Sequence, residues 1–153
     1  MSDLQDYLND PARPELVAQV RKKIDELGVD NIYYQYVSIT GRIMGKVIPA
    51  KHWERVTDTG MQTWLGGVTN VFADKEGDLI GFAPNASELL ALPDPDTFCQ
   101  LPWNKRLARV FCTVFFSRED PERPEEFLDS DTRGNLRRIH KQFGDDHGLQ
   151  MRV

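Results

Sequence analysis

The early part of the chain predicts one amphipathic helix after a polar arm. Residues 1–14 are mostly polar and include Pro11, which favours a loose, flexible N-terminal arm. Over residues 15–27, apolar side chains recur three or four positions apart. They are Leu16, Val17, Val20, Ile24 and Leu27. Pro14 suits the start of a helix and Gly28 suits its end, so we expect a helix over residues 15–27.

Two runs of β-branched and aromatic residues predict a hairpin. The runs are 31–39 and 42–48, and a short turn at Thr40 and Gly41 separates them. Pro49 has no backbone N–H to donate, so the second strand is expected to end there. A short helix is expected to follow over residues 50–59.

The strongest strand pattern is the apolar run 107–116, which is long enough for a central strand. Residues 68–73 predict a further strand, and residues 78–82 predict either its return strand or a loop. Residues 93–97 are rich in proline and favour an extended loop. These elements predict an α+β fold, with a mainly antiparallel sheet and flanking helices.

The last part of the chain predicts a helix and then the start of a strand. From Asp131 to about Phe143, one face is apolar, and Asp131 or Thr132 can cap the first turn. Residues 149–153 alternate apolar and polar side chains, as a strand does. We therefore expect the chain to be a fragment that continues into a further domain of a longer protein. The alternative is a short edge strand that completes the domain's own sheet.

Composition is that of one ordinary soluble domain. The chain has 153 residues, of which 40% are hydrophobic, and its net charge is −5. This size can bury a core without a metal or disulfide, and the negative charge disfavours nucleic acid as a partner. No leader pattern and no run of about 18 apolar residues is present, so we expect a cytoplasmic protein with no membrane contact. Cys112 lies in an apolar run and is expected to be buried.

Two clusters of carboxylates are candidates for cation binding. One is Asp74, Glu76 and Asp78, and the other is Asp94 and Asp96. Both segments also have the composition of ordinary turns and loops, which is the interpretation that the spacing favours. The Gly-Lys pair within the predicted hairpin lacks the spacing of a phosphate-binding loop. Taken alone, these patterns indicate a soluble domain without revealing its function.

Several segments, in order, resemble the N-terminal β-grasp domain of glutamine synthetases and their γ-glutamyl-amine ligase relatives. Residues 40–50 are similar to D-x-x-G-x-x-R-G-K-x-[VI]-P, and residues 87–97 to E-S-D-[ML]-x-L-x-P-D-x-x-T. Residues 101–103 fit a Pro-aromatic pair of the polyamine-ligase branch, and residues 131–138 resemble D-P-R-x-x-L-[KR]-R. Met44 and Thr132 depart from the family's Arg and Pro. The resemblance covers most of the chain.

The resemblance implies an activity and a site. Family members use ATP to activate a carboxylate as an acyl phosphate, which ammonia or an amine then attacks. Asp74 is the best match to the family's loop aspartate, so it is the expected substrate-binding residue for an amine or ammonium. The family's G-x-E-x-E segment would follow Gly148 and Leu149. We therefore expect no catalytic residue, metal or cofactor in this chain, and ATP with Mg or Mn in the full-length enzyme.

The resemblance also implies partners and a division of the chain. A flexible arm (1–14) precedes a β-grasp domain (15–116), and residues 117–153 are a connector and first helix leading toward a missing catalytic domain. The expected partners are catalytic domains of the same and neighbouring subunits of a homo-oligomer. The isolated chain should then be inactive and expose an apolar patch near a tryptophan, namely Trp53, Trp64 or Trp103. The alternative function is a free-standing β-grasp module that binds or scaffolds through its sheet edge without catalysis.

Overall fold

A computed structural model describes residues 2–63, 72–80 and 88–150 of the chain. The helices are α1 (Asp3–Leu8), α2 (Arg13–Leu27), α3 (Trp53–Thr59) and α4 (Thr132–His147). The strands are β1 (Asn31–Val37), β2 (Ile43–Pro49), β3 (Met61–Thr63), β4 (Phe72–Ala73), β5 (Leu79–Ile80), β6 (Leu89–Pro93), β7 (Cys99–Leu101) and β8 (Asn104–Phe116).

Strand β8 is the centre of the main sheet. The strand order is β2-β1-β8-β6-β3, and β7 pairs with β8 on the same side as β6. Only the β1–β8 pair is parallel among the described pairs of this sheet. The predicted central strand at 107–116 is confirmed, and its residues 112–116 are buried on both faces of the sheet. The predicted α+β class, with a mainly antiparallel sheet, is confirmed as well.

One face of the sheet carries the main core beneath α2 and α3. Alternate residues of β1 and β8 point into it, as the two-residue period of a strand requires. The buried members include Ile32, Tyr34, Tyr36, Ala108, Val110, Cys112 and Val114 from the strands, and Val20, Ile24, Trp53 and Val56 from the helices. Cys112 is fully buried as predicted, and burial raises the pKa of its thiol. The predicted helix over 15–27 is confirmed and begins slightly earlier, at Arg13.

The other face of the sheet is covered only in part, and the N-terminal helix α1 is one of the elements that cover it. Leu4 of α1 is fully buried with Phe115, and its backbone N–H donates to the carbonyl of Glu125 at 3.1 Å. The structure therefore differs from the loose arm predicted for residues 1–14, because residues 3–8 form a docked helix. Leu4 and Tyr7 lie one turn apart, so together they cover an aromatic cluster that the local sequence does not show.

Several further boundaries differ from the prediction. Residues 89–93 and 99–101, for which the sequence predicts no strand, form strands because both pair with the long strand β8. Pro93 is tolerated at the end of β6, beyond Leu89–Ala91, the part that pairs with β3. Helix α4 continues through Gly144 and ends at Gly148, whose φ of 64° is left-handed. The predicted strand segments at 68–71, 81–82 and 151–153 lie outside the described residues.

Candidate functional site

Asp74, the predicted substrate-binding residue, lies at the turn between β4 and β5. Its Oδ1 atom accepts hydrogen bonds from the backbone N–H groups of Glu76 and Asp78, both at 2.9 Å. Its own backbone N–H donates to the carbonyl of Asp78 at 2.9 Å. This is the turn that an aspartate side chain forms with the backbone that follows it. The structure thus shows Asp74 closing a hairpin, while its binding of an amine stays a prediction.

The tip of this hairpin is an exposed negative charge. All residues of the 74–78 turn are exposed, and the Lys75 ammonium lies 3.1 Å from a carboxylate oxygen of Glu76. Asp74 and Asp78 therefore leave the tip net negative. The two backbone hydrogen bonds fix the Asp74 carboxylate while leaving Oδ2 out of the turn. Such a tip can attract a protonated amine that approaches within about one Debye length, roughly 8 Å at physiological salt.

Two of the segments that carry the family resemblance meet in space at Asp94. This residue is only 2% exposed. Its Oδ2 atom accepts a hydrogen bond from Arg133 and forms an ion pair with Arg137, whose Nη1 lies 2.6 Å away. Residues 87–97 and 131–138, which are remote in sequence, are thus joined by one carboxylate and two guanidinium groups.

The other oxygen of Asp94 ties in the N-terminal helix. Oδ1 accepts a hydrogen bond from the Tyr7 hydroxyl, and another from Oγ1 of Thr113 at 3.1 Å. Burial, together with the Asp94 charge, raises the pKa of Tyr7, so its hydroxyl stays protonated as a donor. The guanidinium of Arg13 stacks on the Tyr7 ring at 4.6 Å from its centroid.

We call this set the Asp94 cluster: Tyr7, Arg13, Asp94, Thr113, Arg133 and Arg137. Arg13 completes it by donating to the carbonyls of Pro93 at 3.2 Å and Thr57 at 2.9 Å. Both oxygens of Asp94 are engaged by donors from the protein, so in this conformation it is a structural ion-pair centre. The sequence predicts an ordinary loop around Asp94, and the structure shows that tertiary contacts of Asp94 hold this loop in place.

Asp131 performs the helix-capping role that the sequence predicts. It is fully buried, and its Oδ1 atom accepts from the backbone N–H of Gly134 at 3.0 Å. Its Oδ2 atom accepts from the backbone N–H of Val114 in β8, also at 3.0 Å. Burial raises the pKa of Asp131, while these backbone hydrogen bonds partly offset that rise. Gly134 is required here, because a Cβ would clash with the Asp131 carboxylate.

The Gly-Lys pair of the hairpin has a structural explanation. A Cβ at Gly45 would overlap the backbone carbonyl of Tyr34 in the adjacent strand, so only glycine fits. The Lys46 ammonium donates to the carbonyl of Gln62 at 2.7 Å, which connects β2 to β3. The pair therefore lies within a β-hairpin and forms no strand-to-helix phosphate loop.

Solved structures of GmaS share the fold of this chain. GmaS is a γ-glutamylmethylamide synthetase of the glutamine synthetase family. A GmaS structure with ADP matches 83% of this chain with a TM-score of 0.63 at 19% identity. A GmaS structure without ligand matches 82% of the chain with a TM-score of 0.61 at 20% identity.

This chain has the fold of one part of GmaS. The matched region is 26% of the GmaS chain, so the present chain spans about a quarter of that enzyme. At this identity the comparison shows a fold that the two chains share, and it agrees with the α+β class predicted from the sequence. No protein-family profile matches the chain, and no match is found among curated proteins.

The sequence did not indicate Tyr7 or Arg13 as members of a site. Both come from the segment predicted as a loose arm, and a single tyrosine or arginine there carries no local signal. The only hint was the family motif around Asp94, since a buried carboxylate requires cationic partners. Within the described ranges, no group of three or more His, Cys, Asp or Glu side chains is placed to hold a metal. No helix in those ranges has the length and apolar character to cross a bilayer.

The three tryptophans fall in different environments. Trp53 is fully buried in the main core, and its indole N–H donates to the carbonyl of Val17 at 3.0 Å. Trp103, at the turn between β7 and β8, is 79% exposed. Trp64 lies outside the described residues. Of the positions named for an apolar patch, Trp103 is the one that the structure places at the surface.

Proposed function

We propose that this chain is the N-terminal domain of an ATP-dependent ligase of the glutamine synthetase type, which joins a carboxylate to an amine or ammonia. The observation that supports this most is the fold shared with GmaS over 83% of the chain. The contact between two family-like segments at Asp94 also supports the proposal, because residues of both motifs form the same ion-pair cluster.

The phosphoryl chemistry belongs, in this proposal, to a catalytic domain beyond this chain. One of the matching GmaS structures is an ADP complex, and we infer that the full-length protein uses ATP with Mg or Mn. The proposal assigns no catalytic step to the residues of this chain. We expect the isolated chain to be inactive, and the full-length enzyme to be cytoplasmic.

Asp74 is the proposed substrate-binding residue. In a homo-oligomer, the β4–β5 tip would lie at the active site of a neighbouring subunit and help to close its amine pocket. A fixed carboxylate favours binding of the incoming nucleophile as a cation, either ammonium or a protonated amine. A base of the catalytic domain would then remove the proton that attack requires. Asp74 therefore acts by electrostatics and positioning.

The Asp74→Asn variant of the full-length protein tests this role. Asparagine keeps an acceptor for the turn and removes the charge. We expect KM for the amine to rise by about tenfold, while KM for ATP changes little. Glu76→Gln is the matched control, because it removes a charge that is already paired with Lys75 from the same tip. An unchanged amine dependence combined with lower thermal stability would show that Asp74 only forms the turn.

The second candidate function is a free-standing binding module. Trp103 supports the binding module, since a tryptophan that is 79% exposed is typical of a protein-binding surface. An assay with ATP, Mg²⁺, glutamate and an amine, run on both chain 1–153 and the full-length gene product, separates the two functions. Both predict no turnover by the chain alone, and only the ligase predicts that the full-length gene product consumes ATP when an amine is added.

A further inference from the structure

The two edge strands of the main sheet approach one another across a groove. Strands β2 and β3 lie at opposite ends of the strand order, yet the Lys46 ammonium of β2 donates to the carbonyl of Gln62 in β3. The C-terminal part of α3 and Arg118, which follows β8, also line this groove. We call it the edge groove, and its volume is about 440 Å³. A groove of this size has room for a small organic molecule.

The edge groove is positively charged, although the chain as a whole has a net charge of −5. Its lining within the described ranges includes Lys46, Arg55 and Arg118, and no described lining residue is an aspartate or glutamate. Among the described ion pairs, only Arg118 of these three has a partner, since its Nε atom lies 3.5 Å from a carboxylate oxygen of Glu125. Two positive charges of the groove are therefore not neutralised by a described carboxylate.

Contacts within the fold explain two of these cations and leave Arg55 unexplained. Lys46 holds the carbonyl in β3, and Arg118 donates from Nη1 to the carbonyl of Thr59 at the end of α3, at 3.4 Å. A cation in the last turn of a helix is stabilised by the helix dipole, but Arg55 lies before that turn. Glu54, its neighbour in α3, pairs with an arginine of α2 instead.

We propose that the edge groove binds a small phosphate monoester. Such a group carries a charge of about −1.5 to −2 at neutral pH, which balances the two positive charges that lack a partner. Lys46, Arg55 and Arg118 supply the N–H donors that phosphate oxygens accept from. A carboxylate would balance only one of the two charges. The half-buried side chain of Ile48, which also lines the groove, offers an apolar contact to the organic part of the ligand.

The inference goes beyond the proposed ligase function, since the edge groove includes neither Asp74 nor any residue outside this chain. Binding can therefore be measured on chain 1–153 alone. Loss of the ligase proposal would leave the binding result unchanged, and absence of binding would leave the ligase proposal unchanged.

Isothermal titration calorimetry of chain 1–153 with three ligands tests the proposal. Phenyl phosphate joins a phosphate monoester to a small apolar ring, and phenyl sulfate has nearly the same shape with a single negative charge. We expect phenyl phosphate to bind with Kd below about 1 mM, and phenyl sulfate to bind at least about tenfold more weakly. Equal affinities for these two ligands, or no binding of phenyl phosphate at about 10 mM, would contradict the proposal.

Inorganic phosphate, the third ligand, separates a monoester from the free ion. It lacks the apolar ring, so we expect it to bind several-fold more weakly than phenyl phosphate. Equal binding of the two would show that the groove recognises phosphate alone, which would overturn the assignment of a monoester.

Substitutions at two exposed arginines locate the site. Arg55→Gln removes a groove charge that has no described ion pair, so phenyl phosphate should bind about tenfold more weakly while urea unfolding stays unchanged. Arg42→Gln is the matched control, because it removes one exposed positive charge from the β1–β2 turn, outside the groove. Arg55→Lys should restore part of the affinity, since it keeps the charge. Equal weakening by Arg55→Gln and Arg42→Gln would reduce the binding to general charge attraction and overturn the proposal.

Nuclear magnetic resonance of the isotope-labelled chain checks the position without a substitution. Phenyl phosphate should shift the backbone amide signals of Gly60, Met61 and Gln62, which line the edge groove. Helix α4 is the other segment rich in arginine, with Arg133 among its three. Largest shifts in α4 would place the anion there and contradict the proposal.

Discussion

Asp74 and Asp94 are both loop aspartates, yet the structure uses them in opposite ways. Asp74 is exposed, and its carboxylate accepts hydrogen bonds from residues two and four positions away. Asp94 is 2% exposed, and its partners lie 19, 39 and 87 positions away in Thr113, Arg133 and Tyr7. The same residue type thus forms a local turn in one place and a tertiary ion-pair centre in the other.

The difference determines how much each aspartate contributes to the free energy of unfolding. An exposed turn former exchanges hydrogen bonds with water and contributes little net stability. A buried carboxylate with two arginines is different, because removing its charge leaves the largely buried Arg133 and the half-exposed Arg137 without their anion. The exposed aspartate can therefore bind a ligand without loss of folding stability, whereas the buried one is needed to stabilise the fold. Each of the following predictions tests this contrast.

Asp94→Asn should have the largest effect on stability. It removes the charge that Arg133 and Arg137 share, so we expect the free energy of unfolding to fall by about 3–5 kcal/mol. Urea unfolding of the chain measures this. The neighbouring Asp96→Asn is the matched control, since Asp96 is exposed, and its effect should stay within about 0.5 kcal/mol. A loss below about 1 kcal/mol for Asp94→Asn would mean that the cluster does not hold the fold together.

Asp131→Ala should have the next largest effect. Asp131 combines a local bond to Gly134 with a long-range bond to Val114, so both backbone N–H groups lose their acceptor. We expect a loss of about 2–3 kcal/mol in unfolding free energy. The control is Asp129→Ala, whose carboxylate is exposed and pairs with Arg123 at the surface; it should cost under about 1 kcal/mol. Equal losses would show that burial does not set the energy here.

Tyr7→Phe should have a moderate effect that is confined to one region. It removes one donor to Asp94 and keeps the ring that stacks with Arg13. We expect a loss of about 1–2 kcal/mol and faster amide hydrogen exchange in α1. Exchange in the β1–β2 hairpin should change less, since that hairpin lies outside the Asp94 cluster. Uniform acceleration over the whole chain would argue against a local tie.

Asp74→Asn should have the smallest effect on folding. Asparagine can accept the same two backbone hydrogen bonds, so the free energy of unfolding of the isolated chain should change by less than about 0.5 kcal/mol. Thermal or urea unfolding checks this. A loss comparable to that of Asp94→Asn would make Asp74 a structural residue and remove the contrast between the two aspartates.

Local patterns in the sequence predicted those parts of the fold that depend on near neighbours. The helix over 15–27, the hairpin around Thr40 and Gly41, and the cap by Asp131 each rest on residues a few positions apart. The apolar run 107–116 predicted a central strand because it is rich in strand-forming residues and long enough to lie inside the sheet. Each of these elements is present in the structure.

The remaining features depend on contacts that no local pattern contains. Helix α1 is short and polar, and it is held by Leu4 and Tyr7 against residues more than 80 positions away. Strands β6 and β7 form because β8 is long enough to pair with both. The family resemblance indicated that the segments around Asp94 and Arg133 matter, but only the structure shows that they touch. Asp74 remains a site prediction that rests on resemblance and on its exposed charge.

The central claim is that this chain is the N-terminal domain of a carboxylate–amine ligase. The most direct measurement is ADP release by the protein translated from the intact gene, compared with purified chain 1–153, in the presence of ATP, Mg²⁺, glutamate and a series of amines including ammonia. The account predicts amine-dependent ADP release by the intact gene product and none by the chain alone. Amine-dependent turnover by chain 1–153, or an intact gene product that never consumes ATP with any amine, would contradict it.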